Sequence, residues 1–260
     1  MQPDPSNADL RAERRGDVLW LTIAREARRN AMNDAVLSGI AAGLDRAESE
    51  PGIRAVVITG AGEKAFCAGA DLQSAAPFGA DFSQPYGAAA ELFRRTRRAT
   101  VPLIARVNGA CYAGGMGLMA MCDLAVAAEH ATFALPEVKV GVFPAQVLGV
   151  LQHLLPRRVL VEMCLTGDPI DARRALALEL VNAVAVDLDA ELDRLIGRLT
   201  AGSPAALRRG LYTLKRMEHM PFEESVAFAE SQIALFAQTD DAKEGIAAFT
   251  GRRNPRWTGR

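Results

Sequence analysis

Short unbroken apolar stretches fill the first half of the chain, and apolar residues at spacings of three and four fill the last part. VLWLTIA from Val18 predicts a strand, RAVVITG ending at Gly60 a buried strand, and LIARVNG ending at Gly109 another. A polar turn and an amphipathic helix over 34–48 separate the first two. DLAVAA and ATFALPE add two short extended pieces. Strands alternating with helical patterns argue for βαβ-type units. Past about Pro144 the pattern turns helical in DARRALALELV, ELDRLIGRLTAG, SPAALRRGLYTLKRM and FEESVAFAESQIALFAQ, with Ser203-Pro204 as a helix-start signal. Residues 73–87, QSAAPFGADFSQPYG, lack any period and predict a mobile surface loop. There is no internal repeat or low-complexity tract.

At 260 residues, half of them hydrophobic, the chain can bury a substantial core. Its formal net charge of −1 gives no bulk reason to expect nucleic acid, and RRTRR at Arg94–Arg98 reads as a solvated helix face. Cys67, Cys111, Cys122 and Cys164 form no C-x-x-C pair, so reduced thiols in a cytoplasm-like compartment are expected. His130, His153 and His219 have no companions at metal-ligand spacing. The polar N-terminus lacks the apolar core of a signal peptide, and no apolar run reaches the ~18 residues of a membrane span. The expectation is a cytoplasmic protein with no membrane and no nucleic-acid partner.

Two segments are rich in small residues. ITGAGEKAFCAGADL follows a strand, but Ala65 stands where G-x-G-x-x-G needs its third glycine, and the phosphate-loop pattern is absent. It offers backbone that a ligand can approach closely at Ala68, Gly69 and Ala70, or simply a structural turn. NGACYAGGMGLMAMCD predicts a helix beginning near Ala113-Gly114, whose free N–H groups favour negative charge. Two such backbone donors would make an oxyanion hole; tight helix packing, with Met116, Met119 and Met121 as core filler, is the plainer alternative. FALPEVKVGVFP places Glu137 between Pro136 and Val138, where poor solvation would raise its pKa, although a surface turn acid fits the same pattern.

Taken together these stretches resemble the enoyl-CoA hydratase/isomerase (crotonase) superfamily. REARRNAMND, LTGDPIDARRALALELVN and EGIAAFTGRR extend the likeness over nearly the whole chain. The resemblance implies an α/β fold, a crotonase-like spiral of ββα units over 1–200 with a helical C-terminal trimerisation region over 201–260, as a homotrimer or dimer of trimers. It implies an acyl-CoA thioester substrate, with CoA part of the substrate and no other cofactor or metal. The amides of Ala70 and Gly114 would hold the thioester oxygen. Arg28, Arg29, Lys64, Ala68, Asp71 and Leu72 would contact CoA, joined by Phe249 and Arg252, often from a neighbouring subunit.

The family's hydratases carry two glutamates. The second matches Glu137, but the first falls on Gly117, and PAQVLG at 144–149 replaces their usual glycine-rich stretch. The resemblance therefore implies an enoyl-CoA hydratase with Glu137 as its single acid/base, helped by an ordered water or by Gln146. The alternatives are a Δ3,Δ2-enoyl-CoA isomerase, for which one base near two carbons suffices, and a non-catalytic acyl-CoA-binding homologue.

Overall fold

The computed structural model describes residues 5–74, 79, 83 and 85–260. The loop expected over 73–87 lies largely outside them. In chain order the elements are β1 (Leu10–Arg15), β2 (Val18–Ile23), α1 (Asp34–Ser49), β3 (Ala55–Gly60), β4 (Ala65–Cys67), α2 (Ala88–Arg98), β5 (Leu103–Val107), β6 (Ala110–Tyr112), α3 (Gly114–Ala120), β7 (Leu124–Ala128) and β8 (Thr132–Ala134). A short 3-10 helix (Pro136–Val140) follows, then α4 (Ala145–Leu151), α5 (Arg157–Thr166), β9 (Ile170–Asp171), α6 (Ala172–Ala177), β10 (Ala183–Ala185), α7 (Leu188–Thr200), α8 (Pro204–Met217), α9 (Phe222–Phe236) and α10 (Asp240–Thr250).

Among the described residues the strands form two sheets, ordered β1-β2-β3-β5-β7-β10 and β4-β6-β8-β9. The first is parallel except for β1. Each of β3, β5 and β7 leads through a short turn into β4, β6 and β8, so the chain winds between the sheets in ββα-like steps. All six residues of β3 are buried because the large sheet is covered on both faces. Leu19, Leu21, Val56, Ile58 and Leu103 face the main core, while Val18, Ala55, Val57 and Ile104 pack with Leu192 of α7.

The strands around Val18, Gly60 and Val107 lie where their apolar runs predict, and the helix expected over 34–48 spans Asp34–Ser49, capped by Asn33. Ser203 caps α8 through Ala206 N, with Pro204 at its first position. The polar N-terminus, in contrast, holds β1. It is an edge strand that buries Leu10 and turns its arginines and glutamate outward, a composition that discourages further strand pairing. Among the described residues no helix is long and apolar enough to cross a membrane.

Lys215 ties the helical region to the core. Its ammonium donates to the carbonyls of Thr96 and Ala99 at the end of α2, both at 3.0 Å, and pairs with Asp123 at 2.8 Å. Burial pushes the Asp123 carboxyl up despite this partner. Lys215→Met should therefore cost about 3–5 kcal/mol in denaturant unfolding by stranding a buried carboxylate. Adding Asp123→Asn should recover part of the loss, and purely additive losses would show that the pair is not what anchors α8.

Candidate active site

β4, β6 and β8 run parallel side by side, with Cys67 opposite Cys111, and Cys111 opposite Phe133. Ala70, Gly114 and Glu137 follow these strands by three, two and three residues. Neighbouring parallel strands thus deliver them to one edge of the small sheet, at the carboxyl ends where open α/β sheets bind ligands.

Along 68–71, three amides are used inside the chain. Ala68 N–H donates to the Arg29 carbonyl at 3.1 Å, Gly69 N–H to Cys67 Sγ at 3.5 Å and Asp71 N–H to the Met32 carbonyl at 2.8 Å. Met32 N–H donates in turn to the Gly69 carbonyl at 2.7 Å, making a parallel bridge between Met32 and Ala70. In such a bridge the Ala70 amide faces away from Met32, and it finds no acceptor among the described residues. The Cys67 thiol beneath, pushed up to about 12 by burial, stays neutral.

Gly114 opens α3, where an N–H has no acceptor within the helix. It too finds none among the described residues. Ala113 before it adopts φ 52°, ψ −125°, a conformation that costs a residue with a side chain on the order of 1–3 kcal/mol. Its amide bonds to the Ala134 carbonyl at 2.9 Å, which holds the turn in place. The two turns touch: a Cβ placed on Gly114 would lie 3.6 Å from the Ala70 nitrogen and 3.5 Å from Gly69 Cα. Two unused amides this close can take one anionic oxygen.

Glu137 lies in the 3-10 helix that Pro136 starts and Gly141 closes at φ 80°. Only 9% of the residue is exposed. Its Oε2 atom is buried with no hydrogen-bond partner. Loss of solvent raises its pKa, only partly offset by its own backbone amide. Asn30, Asn108 and Asp241, equally hidden, have their polar atoms bonded. Among the described residues Glu137 is the buried acid with an oxygen left free to accept or give a proton.

Gly117 sits in α3 beneath an apolar lid. A Cβ there would come within 2.9 Å of Phe93 Cζ from α2 and 3.3 Å of Val147 Cγ2 from α4. Gln146, the neighbour of Val147, is exposed. Among the described residues the three atoms nearest that position are all carbons of Phe93 and Val147. Nothing in the sequence marks Phe93 or Val147 as neighbours of Gly117, because α2 and α4 reach it only through the tertiary fold.

The remaining expected residues spread over the surface beside and beyond this edge. Arg28, Arg29 and Lys64 are exposed, Ala68 is half-buried, and Leu72 is 54% exposed. Asp71 uses its carboxylate within the chain, accepting from Arg25 at 2.7 Å and from Gln73 N–H at 3.0 Å. These bonds hold it below the usual carboxylate range. Phe249 and Arg252 lie at the end of α10, which packs on α8, and Phe249 is 87% exposed. Their helix packs on α8, while the 3-10 helix that carries Glu137 packs on α5.

Comparison with known proteins finds relatives over nearly the whole chain. A family model described as enoyl-CoA hydratase/isomerase matches residues 13–260. The enoyl-CoA hydratase EchA19 of Mycobacterium tuberculosis is 34% identical, with 98% of each chain covered. The 2,3-dehydroadipyl-CoA hydratase of Escherichia coli K12 is also 34% identical, covering 97% of this chain and 100% of its own. The solved structure of an enoyl-CoA hydratase from Mycobacterium smegmatis superposes with a TM-score of 0.88 at 31% identity, covering 96% of this chain and 99% of that one.

Two outcomes follow from the geometry. At Gly69, φ is 102° and an added Cβ would lie 2.7 Å from Ala113 Cβ. Gly69→Ala should spread the two amides and lower kcat by about 10²–10³-fold, the size expected for losing one such donor; an unchanged kcat would remove the pair from the chemistry. Glu137→Gln should raise the melting temperature at neutral pH. The sign follows from the raised pKa: the folded protein favours protonated Glu137, so wild-type stability from this group is full below the ordinary value of 4.5 and lost as pH rises through the folded pKa. The variant's advantage should fade on acidification, and a gain independent of pH would contradict the burial argument.

Proposed function

The chain belongs to the enoyl-CoA hydratase/isomerase family, and from that membership we propose that it is an enoyl-CoA hydratase, adding water reversibly across the 2,3 double bond of a 2-enoyl-CoA with Glu137 as its single acid/base. The carrying observation is the buried, unpartnered carboxylate oxygen of Glu137 at the strand edge that presents two unused amides.

The thioester oxygen lies between the N–H groups of Ala70 and Gly114. Glu137 takes a proton from water as the water oxygen bonds to C3, and the double-bond electrons move onto the thioester as an enolate. Collapse of the enolate draws that proton from Glu137 to C2, so one carboxylate removes and returns it. Negative charge peaks on the oxygen facing the amides, where each donor is worth ~2.7–4 kcal/mol. The exposed Arg28, Arg29 and Lys64 suit the CoA phosphates. Backbone at Ala68 and Leu72 approaches the rest of CoA, which travels with the substrate and needs no separate cofactor. The exposed apolar residues Leu214, Phe222, Ile233 and Ile246 of α8–α10 support a trimer, in which Phe249 and Arg252 serve a neighbouring site. The buried free thiols Cys67, Cys111 and Cys164 suit a cytoplasmic setting.

One observation favours a second reading. The Phe93 and Val147 lid over Gly117 gives an apolar wall where a second carboxylate would stand. A lone Glu137 moving a proton between C2 and C4 of the enolate would interconvert 3-enoyl- and 2-enoyl-CoA.

Incubation with a panel of 2-enoyl- and 3-enoyl-CoA thioesters, read by mass spectrometry, tests the assignment. Gain of one water marks hydration, and a displaced double bond at constant mass marks isomerisation. Binding without either would leave a non-catalytic acyl-CoA-binding protein. Glu137→Gln should lower turnover by about 10²–10⁴-fold. In the wild type, kcat/KM should rise with pH along a limb set above the ordinary glutamate value of 4.5, since the base must be ionised. Turnover unaffected by the substitution would remove Glu137 from the mechanism.

A further inference from the structure

Of the arginines at 25, 28 and 29, Arg28 and Arg29 are exposed. Arg25 turns inward, with 12% of its side chain exposed. Its Nη1 donates to the Ala31 carbonyl at 2.5 Å and its Nη2 to Asp71 Oδ2 at 2.7 Å, while Nε lies 3.4 Å from Asp9 Oδ1. Ala31 and Asp71 stand on opposite strands of the pairing that joins Met32 to Ala70. A single planar fork therefore grips both strands next to the bridge that aims the Ala70 N–H. A guanidinium holds such a geometry rigidly, because its donors are fixed in one plane.

The grip continues into the core. Asn33 Nδ2 donates to Asp9 Oδ2 at 2.7 Å, and Asn33 Oδ1 caps α1 by accepting from Val36 N–H at 3.0 Å. Asp71 also carries a negative charge next in sequence to an amide that must stabilise negative charge. Arg25, in contact with that carboxylate at 2.7 Å, is the cation that chiefly offsets its charge, with Arg28 acting from farther away.

We propose that Arg25 is a positioning residue for the Ala70 amide, acting through Asp71 and the Ala31 carbonyl without touching the substrate. It fixes the direction of the N–H and neutralises the adjacent carboxylate. The inference rests on the oxyanion role assigned to Ala70 above.

The test uses Arg25→Gln, Arg25→Lys, Asp71→Asn and the Arg25→Gln/Asp71→Asn double variant, each checked for folding by thermal unfolding. Two quantities are read: kcat and KM with the substrate found for the wild type, and the absorption of a bound arylacryloyl-CoA. Such a conjugated thioester moves to longer wavelength when its carbonyl is polarised. Arg25→Gln should lower kcat by roughly ten- to a hundred-fold, the scale of a small misplacement of a catalytic group, with KM little changed and the red shift diminished. Arg25→Lys, which keeps the charge but not the fork, should retain an intermediate kcat and shift. The double variant should be no worse than Arg25→Gln alone, because both changes act on one linkage. Should Arg25→Gln fail to fold, Arg25→Lys and Asp71→Asn carry the comparison. A folded Arg25→Gln protein with wild-type kcat and full red shift, even with a lowered melting temperature, would reduce Arg25 to a structural role and overturn the proposal. A wild-type protein that binds the probe with no red shift would instead overturn the oxyanion reading, and this inference with it.

Discussion

Cys67, Cys111 and Phe133 lie side by side across three parallel strands, and the chain leaves all three in the same direction. Parallel pairing is the constraint that makes the rest possible. It takes residues far apart in sequence, Ala70, Gly114 and Glu137, and sets them at neighbouring strand ends. The strands themselves are only three residues long, too short to be stable alone. They depend on the larger sheet, whose strands β3, β5 and β7 feed β4, β6 and β8 one by one. The buried apolar faces of that sheet are thus what holds the site edge in register.

Several unfavourable features meet at this edge. Glu137 is buried without a partner for Oε2, Ala113 occupies a conformation hostile to a side chain, and the amides of Ala70 and Gly114 lack acceptors. Each would be a defect in a purely structural region, and each is what proton transfer and anion stabilisation require. Around them the chain is well satisfied. Asn30 bonds the carbonyls of Ala61 and Ala65, Asn108 bonds Gly62 and Ala65, and Arg25 joins Asp9, Ala31 and Asp71. A polar frame with its hydrogen bonds made can hold a small group of atoms with theirs unmade.

Legibility in the sequence followed element length. The apolar run of β3, the helix at 34–49 and the Ser203-Pro204 cap announce themselves, because a long period or a cap is a local property. β4, β6, β9 and β10, of two or three residues, carry no period to detect. They exist because neighbouring strands offer them partners. β1 was hidden by its charge, since an edge strand with one buried residue looks like a polar tail. The candidate site divides in the same way. Small residues around Ala70 and Gly114, and a glutamate behind a proline, are visible as text. Phe93 and Val147 over Gly117, and the inward turn of Arg25 ahead of two exposed arginines, are not.

By itself the sequence determined the alternation of strands and helices, the backbone freedom at Gly69 and Gly114 and the family to which the chain belongs, since these depend on residue type and local order. Only the tertiary structure decided which donors and carboxylates are left unpaired, because desolvation and hydrogen bonding depend on what packs nearby. Gly117 shows the difference. In the sequence it marks a missing side chain; in the fold that space is filled by an aromatic ring and a valine from two other helices. An apolar surface there neither orients water nor moves protons, which leaves Glu137, with its buried unpartnered oxygen, as the acid–base group of the proposed mechanism.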